Sequence, residues 1–156
     1  MMDAIALMRL AIEQARLALQ SDEVPIGCVI RHDPTDRIIG QGFNRRETDH
    51  DPTAHAEIIA MRQASRELGH WRLIDCTMAV TLEPCPMCAG AIVNARLPRL
   101  IYGCGDPKAG AVRTLYRICD DERLNHRVQI AEGILADECA QLLQEFFRKQ
   151  RAVGKK

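Results

Sequence analysis

Two short runs constrain this chain more than anything else in it: His55-Ala56-Glu57 and Pro84-Cys85-Pro86-Met87-Cys88. Together they offer one imidazole, two thiolates, and a carboxylate placed two residues beyond the imidazole. Cys85 and Cys88 are spaced to share one face of a helix start, so both sulfurs can reach a single ion. A fold that also uses His55 must bring two separate helix starts to one point. The donor set is that of an open zinc site: three protein ligands, a fourth position for water, and an acid/base group beside it. Zinc held this way makes hydroxide near neutral pH, and Glu57 is placed to move protons while the hydroxide attacks an electron-poor carbon. Other uses fit less of the pattern. A redox dithiol suits two cysteines at a helix N-terminus but leaves His55 and Glu57 without a task. A four-cysteine structural site needs a second close pair, whereas Cys28, Cys76, Cys104, Cys119 and Cys139 are singletons that read as small buried hydrophobes.

The 156 residues suffice for one domain, 1–156, with a core that needs no disulfide staples. Formal net charge is zero, which argues against a general nucleic-acid binder. The charge is uneven, however. From about residue 148 a basic tail carries Arg148, Lys149, Arg151, Lys155 and Lys156 with no acid among them. Such a tail is either a solvated helix end favoured by the helix dipole or a phosphate contact. Seven cysteines, with neither an export signal nor a membrane span at the N-terminus, point to a reduced, cytoplasmic protein with no membrane partner.

Apolar periodicity predicts an amphipathic helix over 3–20 and an antiparallel hairpin over 26–31 and 37–43. Gly27, Gly40 and Gly42 inside these strand-like runs signal bulges or close approach of something to the backbone. Asp51 as cap and Pro52 as first residue predict a helix running to about Leu68, with His55 and Glu57 in its opening turns. A strand over 76–82 and a helix from Pro84 to about Ala95 follow. Next come a strand over 100–104, a Gly- and Pro-marked loop over 105–111, and a short helical run through Leu115 and Ile118. A strand over 127–131 and a long amphipathic helix from Asp137 to about Arg151 finish the chain. Strands and helices alternate, so the expected fold class is α/β. The central sheet should be mixed, because of the hairpin, and covered on both faces, with the site beyond the carboxyl ends of its strands.

The HAE run, Leu82–Ala91 (LEPCPMCAGA) and their separation resemble the zinc-dependent nucleoside and base deaminases. The segments 42–58 (GFNRRETDHDPTAHAEI), 102–111 (YGCGDPKAGA) and 125–139 (NHRVQIAEGILADEC) are similar to the bacterial tRNA-specific adenosine deaminases, and this likeness spans essentially the whole chain. The resemblance implies a three-layer α/β/α cytidine-deaminase-like fold with a mixed sheet of about five strands. It implies hydrolytic deamination of adenosine to inosine at the wobble position of tRNA, with one Zn(2+) per subunit on His55, Cys85 and Cys88 and with Glu57 as the proton shuttle. It further implies a homodimer and, as partner, the anticodon stem-loop of an arginine tRNA. Carried across residue by residue, Asn44 contacts the flipped nucleoside, and Ala56 and Pro84 face the base and the attacked carbon. Val24, Pro25 and Ile26 line the pocket under the purine, Asp106 and Lys108 meet the anticodon, and Phe146, Phe147 and Arg148 lie near the RNA. The residues themselves leave other roles open: a turn for Asn44, an Asx-turn for Asp106, core packing for the two phenylalanines. Adjacent on a helix, Phe146 and Phe147 cannot both face one core stripe. The free-base deaminases share the zinc pattern and form the alternative. Val112, Arg113 and Cys104 depart from the family pattern in the loop after 104.

Overall fold

The computed structural model describes residues 1–155. The order of elements is α1 (Ala4–Leu19), β1 (Gly27–His32), β2 (Arg37–Phe43), α2 (Ala56–Leu68), β3 (Cys76–Leu82), α3 (Pro86–Asn94), β4 (Arg99–Cys104), a short 3₁₀ turn (Ile118–Asp120), β5 (Gln129–Ala131) and α4 (Ala136–Ala152). Asp3 starts α1, its Oδ1 accepting from the Ala6 amide at 2.8 Å.

The strands form one five-stranded sheet in the order β2-β1-β3-β4-β5. β1 is antiparallel to both β2 and β3, while β3, β4 and β5 run parallel, so the sheet is mixed. Alternation along the strands divides the core into two layers. Val29, Ala79 and Ile101 face α1 and α4, where they meet Leu7, Met8, Ala11 and Ile12. Cys28, Ile30, Met78, Val80, Leu100 and Tyr102 face the opposite layer, built on α2 and α3. This is the three-layer α/β/α arrangement expected from the sequence.

The strand glycines mark close approach, and their consequence is positional. A Cβ at Gly40 would stand 2.3 Å from the Ala60 carbonyl oxygen, and one at Gly42 would stand 2.8 Å from that of Ala56. α2 therefore lies directly on β2, which fixes where its N-terminus points. The expected bulge falls in β2, where Ile39 is the extra residue between Gly40, opposite Ile30, and Ile38, opposite Arg31.

Two boundaries differ from the sequence reading. α2 begins at Ala56, with His55 as its cap residue in extended conformation. Asp51 does cap, but locally: its Oδ1 accepts from the Thr53 amide at 2.8 Å and the Thr53 hydroxyl at 2.7 Å, so Pro52 lies in an Asx-type turn ahead of the helix. The helical run through Leu115 is instead a string of turns, leaving only the 3₁₀ segment Ile118–Asp120. The buried carboxylate of Glu83 holds the amides of Val112, Arg113 and Thr114 and so takes them out of helical bonding. The basic tail continues α4 and folds back: Gln150 and Lys155 donate to Asp22 at 2.9 and 2.8 Å. Lys156 lies outside the described residues. Among those residues no helix is long and apolar enough to cross a membrane.

Candidate active site

The carboxyl ends of β3 and β4, the end of β2 and the start of β1 converge on one pocket of about 550 Å³. Two helices begin at its floor. His55 caps α2 and Cys85 caps α3, both with extended backbone (φ −81°, ψ 152° and φ −76°, ψ 174°) and neither with a side-chain cap of its own. Their side chains are thus free to point forward into the space where both helix dipoles are positive. Pro86 at the first position of α3 needs no amide partner, and Cys88 follows on the same face.

His55 Nδ1 lies 3.6 Å from Cys85 Sγ and 3.5 Å from Cys88 Sγ, and the three ligand atoms fall within 4.8 Å of one another. These separations test the donor set against a metal. A tetrahedral zinc with Zn–S of about 2.3 Å and Zn–N of about 2.0–2.1 Å sets its sulfur and nitrogen ligands about 3.6 Å apart. The residues fit zinc in type, number and spacing. Hydrogen bonding from Cys88 and from His55 outweighs burial and pulls the Cys85 thiol down to about 4, while the neighbouring Cys85 thiolate and burial push the Cys88 thiol far up. Elsewhere burial pushes the thiols of Cys76, Cys119 and Cys139 up to about 12, as inert core cysteines require.

Glu57, at the second position of α2, is 4% exposed and lines the pocket beside this cluster. Burial lifts its carboxyl above the ordinary range, opposed by the Cys88 thiol and the His55 charge. A cation on the three ligands opposes that lift further. Asn44 is 2% exposed and also lines the pocket. Its Oδ1 accepts from the Arg46 amide at 3.4 Å, whereas its Nδ2 is buried with no partner. A buried amide donor without a partner, on a residue that lines the cavity, leaves one hydrogen bond unmade.

Of the residues singled out in the sequence, Val24, Ile26, Asn44, His55, Ala56, Glu57, Cys85, Asp106, Lys108 and Phe147 line this pocket. Cys88, which is not among the lining residues, completes the cluster with His55 and Cys85. Pro25 and Pro84 are buried and do not line it; the Pro84 carbonyl accepts from the Ala111 amide at 2.9 Å. Phe146 turns into the core at 8% exposure, and Phe147 meets it edge-on (centroids 5.4 Å apart) while facing the pocket. Arg148 is exposed and outside the pocket.

Sequence reasoning misses the carboxylates that hold the pocket walls. Glu23, 1% exposed, accepts from the Glu47 amide at 3.3 Å and from the Thr48 amide and hydroxyl, both at 2.7 Å. It anchors the loop between Asn44 and His55. Glu83, 2% exposed, anchors the opposite loop. Its one sequence signal is its setting, a lone acid between an apolar strand and a proline. Arg46 and Leu143 also line the pocket, and no local pattern marks them.

The fold and this site together define a hydrolytic deaminase of the cytidine-deaminase-like class. The MafB19-like deaminase family model matches residues 2–151. A Streptococcus pyogenes serotype M1 protein named tRNA-specific adenosine deaminase is 50% identical over 144 residues, 92% of this chain and 83% of that one. A solved structure described under A-to-I editing by tRNA:A34 deaminases superposes with a TM-score of 0.83 at 44% identity, covering 88% of this chain and 98% of the other. A guanine deaminase structure from Bacillus subtilis matches at 38% identity and a TM-score of 0.62, over 67% of this chain and 66% of that one. The chain belongs to the tRNA-specific adenosine deaminase family.

Proposed function

We propose that this protein hydrolyses the amino group from adenosine at the wobble position of a tRNA anticodon, consuming water, leaving inosine in the RNA and releasing ammonia. The observation that carries the reading is the juxtaposition, in one pocket, of Glu57, the His55–Cys85–Cys88 cluster and the unpartnered Asn44 amide. Zinc on those three ligands supplies the Lewis acidity that makes water a nucleophile near neutral pH. The rest of the chemistry belongs to the chain. Glu57 carries the first proton of the attacking water to ring nitrogen N1 and then the proton of the resulting C6 hydroxyl to the departing amine, so both water protons are accounted for. Asn44 Nδ2 donates to the nucleoside, relieving its own buried donor. Val24 and Ile26 pack under the purine, the Ala56 backbone flanks the reacting carbon, and Phe147 offers an apolar wall.

An adenosine in a single-stranded loop is cheaper to extrude into such a pocket than one stacked in a duplex. The anticodon stem-loop, that of an arginine tRNA by family likeness, is therefore the partner. Asp106, Lys108 and Arg148 meet its backbone, with one zinc per subunit of a cytoplasmic homodimer. A free-base deaminase is the second reading, favoured by the zero net charge and by the guanine deaminase likeness. Incubation of zinc-loaded protein with an anticodon stem-loop, free adenosine, guanine and cytidine separates the two. Inosine in the RNA alone supports the first, and conversion of a free base alone replaces it with the second.

A further inference from the structure

Glu83 sits on the last turn of chain between β3 and the ligand-bearing start of α3, and its carboxylate is saturated from one side. Oε1 accepts from the Asp106 amide at 3.1 Å and the Thr114 hydroxyl at 2.5 Å. Oε2 accepts from the amides of Val112, Arg113 and Thr114 at 3.1, 2.8 and 3.0 Å. An ionised carboxylate offers about four lone-pair sites, so these five donors fill it. All five come from one loop, the segment after β4 that carries Asp106 and Lys108 to the pocket wall. Space is consistent with a single purpose. A Cβ at Gly110 would stand 2.4 Å from Glu83 Oε1, so the loop closes on the carboxylate with no room for a side chain between. Besides Glu83, the loop is held by Asp106 Oδ1, which accepts from the amides of Lys108 and Ala109, by the Gly110 amide on the Asp106 carbonyl, by the Ala111 amide on the Pro84 carbonyl, by the Leu115 amide on the Gly110 carbonyl, and by the Arg113–Asp120 pair. Without Glu83, most amides on its far arm have no partner of comparable strength. Glu83 meanwhile continues the sheet, its own amide donating to the Cys104 carbonyl at 2.9 Å. One residue therefore ties the substrate-facing loop to the rigid strand end from which the metal ligands project.

We propose that Glu83 is a positioning residue for the substrate: it pre-orders the loop from Asp106 to Thr114 so that Asp106, Lys108 and the pocket wall stand ready for RNA, and it takes no part in proton transfer. The assignment rests on the RNA reading above for the identity of the ligand. Pre-ordering lowers the ordering cost paid on binding, so its loss weakens affinity and leaves the saturated chemical step alone. Two substitutions probe it. Glu83→Gln keeps the shape but turns an NH2 toward amide donors. Thr114→Val, at an exposed position remote from the metal ligands, removes only the hydroxyl donor and leaves folding intact.

The experiment has two arms on zinc-loaded protein. Amide hydrogen exchange at Asp106, Val112, Arg113 and Thr114 should quicken in both variants, most in Glu83→Gln, with zinc content unchanged in Thr114→Val. Affinity for a wobble-adenosine stem-loop should fall in Thr114→Val by up to about tenfold, the scale of one charge-assisted hydrogen bond, while the single-turnover rate at saturating RNA holds. Unchanged exchange overturns the assignment. So does quickened exchange with unchanged affinity, because Glu83 is then structural only, and so does a fall in saturated rate at constant affinity. Failure of the wild-type protein to bind the stem-loop is a different result: it removes the RNA reading, while the exchange arm still decides whether Glu83 orders the loop.

Discussion

The two ends of the sheet both bury charge, and they treat it in opposite ways. At the end where β1 finishes and β3 and β4 begin, Asp33 is closed in by its own protein. Arg31 donates to it at 2.8 Å, the Thr77 hydroxyl at 2.9 and 3.0 Å, and Arg99 completes the shell. Both of its oxygens are met by side chains of the chain itself. At the other end Glu57 is buried beside the site, Asn44 keeps an unpartnered donor, and two thiols and an imidazole crowd together. Buried polarity stabilises the fold where its partners are internal, and it serves recognition and chemistry where they must arrive from outside. Substitutions at the two ends should therefore move different observables.

The largest effect is expected at the ligand cluster. Cys88→Ser should lose the metal, measured by elemental analysis, and with it all detectable deamination; full zinc occupancy in that variant would break the ligand assignment. Glu57→Gln comes next. It should keep zinc and thermal stability yet lose roughly 10²–10⁴-fold in single-turnover rate, the scale of a proton-transfer group. A variant still working at a tenth of the wild-type rate would point to another shuttle.

At the closed end the effect moves to stability. Asp33→Asn should cost about 3 kcal/mol, since it leaves the buried Arg31 guanidinium without its close carboxylate, while the half-exposed Arg99 can turn to water. In a chain of this size that lowers Tm by about 6–12 °C, with the rate on bound RNA unchanged. Burial pushes the Asp33 carboxyl up, but hydrogen bonds from Arg99, Arg31 and Thr77 outweigh it and hold the group below its ordinary value. Its contribution is therefore present above the unfolded pKa of about 3.9 and drains away as pH falls through the lower folded value. Chemical denaturation should find the wild-type advantage over Asp33→Asn constant above about pH 5 and shrinking below about pH 4. An advantage that instead grew in acid would invert the electrostatic account.

The smallest effect belongs to the exposed tail. Replacing Arg148, Lys149 and Arg151 together by Ala should weaken RNA binding and lower the slope of log affinity against log salt by roughly one for each phosphate that is no longer neutralised. An unchanged slope would mean a solvated helix end, and the phosphate-binding groups would then lie around Arg46 and Lys108 at the pocket.

Much of this is legible in the chain, for local reasons. Short apolar runs locate the strands, whose central members are buried on both faces, and the 3.6-residue period locates the long helices, which bury one. The ligand set is legible because Cys85 and Cys88 share one helix start and His55 stands beside Glu57. What escapes is set by distance in sequence. Glu83 is a carboxylate whose donors lie 23–31 residues further on, and Asp33 meets Thr77 and Arg99 across 44 and 66 residues. No local pattern announces such partners. The sequence puts His55 inside a helix because Asp51-Pro52 carries a helix-start signal, but the Asx turn competes for the same residues and wins. The likeness to a known family links Asn44 with the nucleoside; that its amide lacks a partner is visible only in the fold.

Asn44→Ala tests the contrast between the two ends most directly. The account predicts that removing a buried donor with no internal partner leaves Tm equal to wild type or slightly above it, while the single-turnover rate on saturating stem-loop RNA falls and affinity changes less. A Tm loss as large as that of Asp33→Asn, with an unchanged rate on bound RNA, would contradict it.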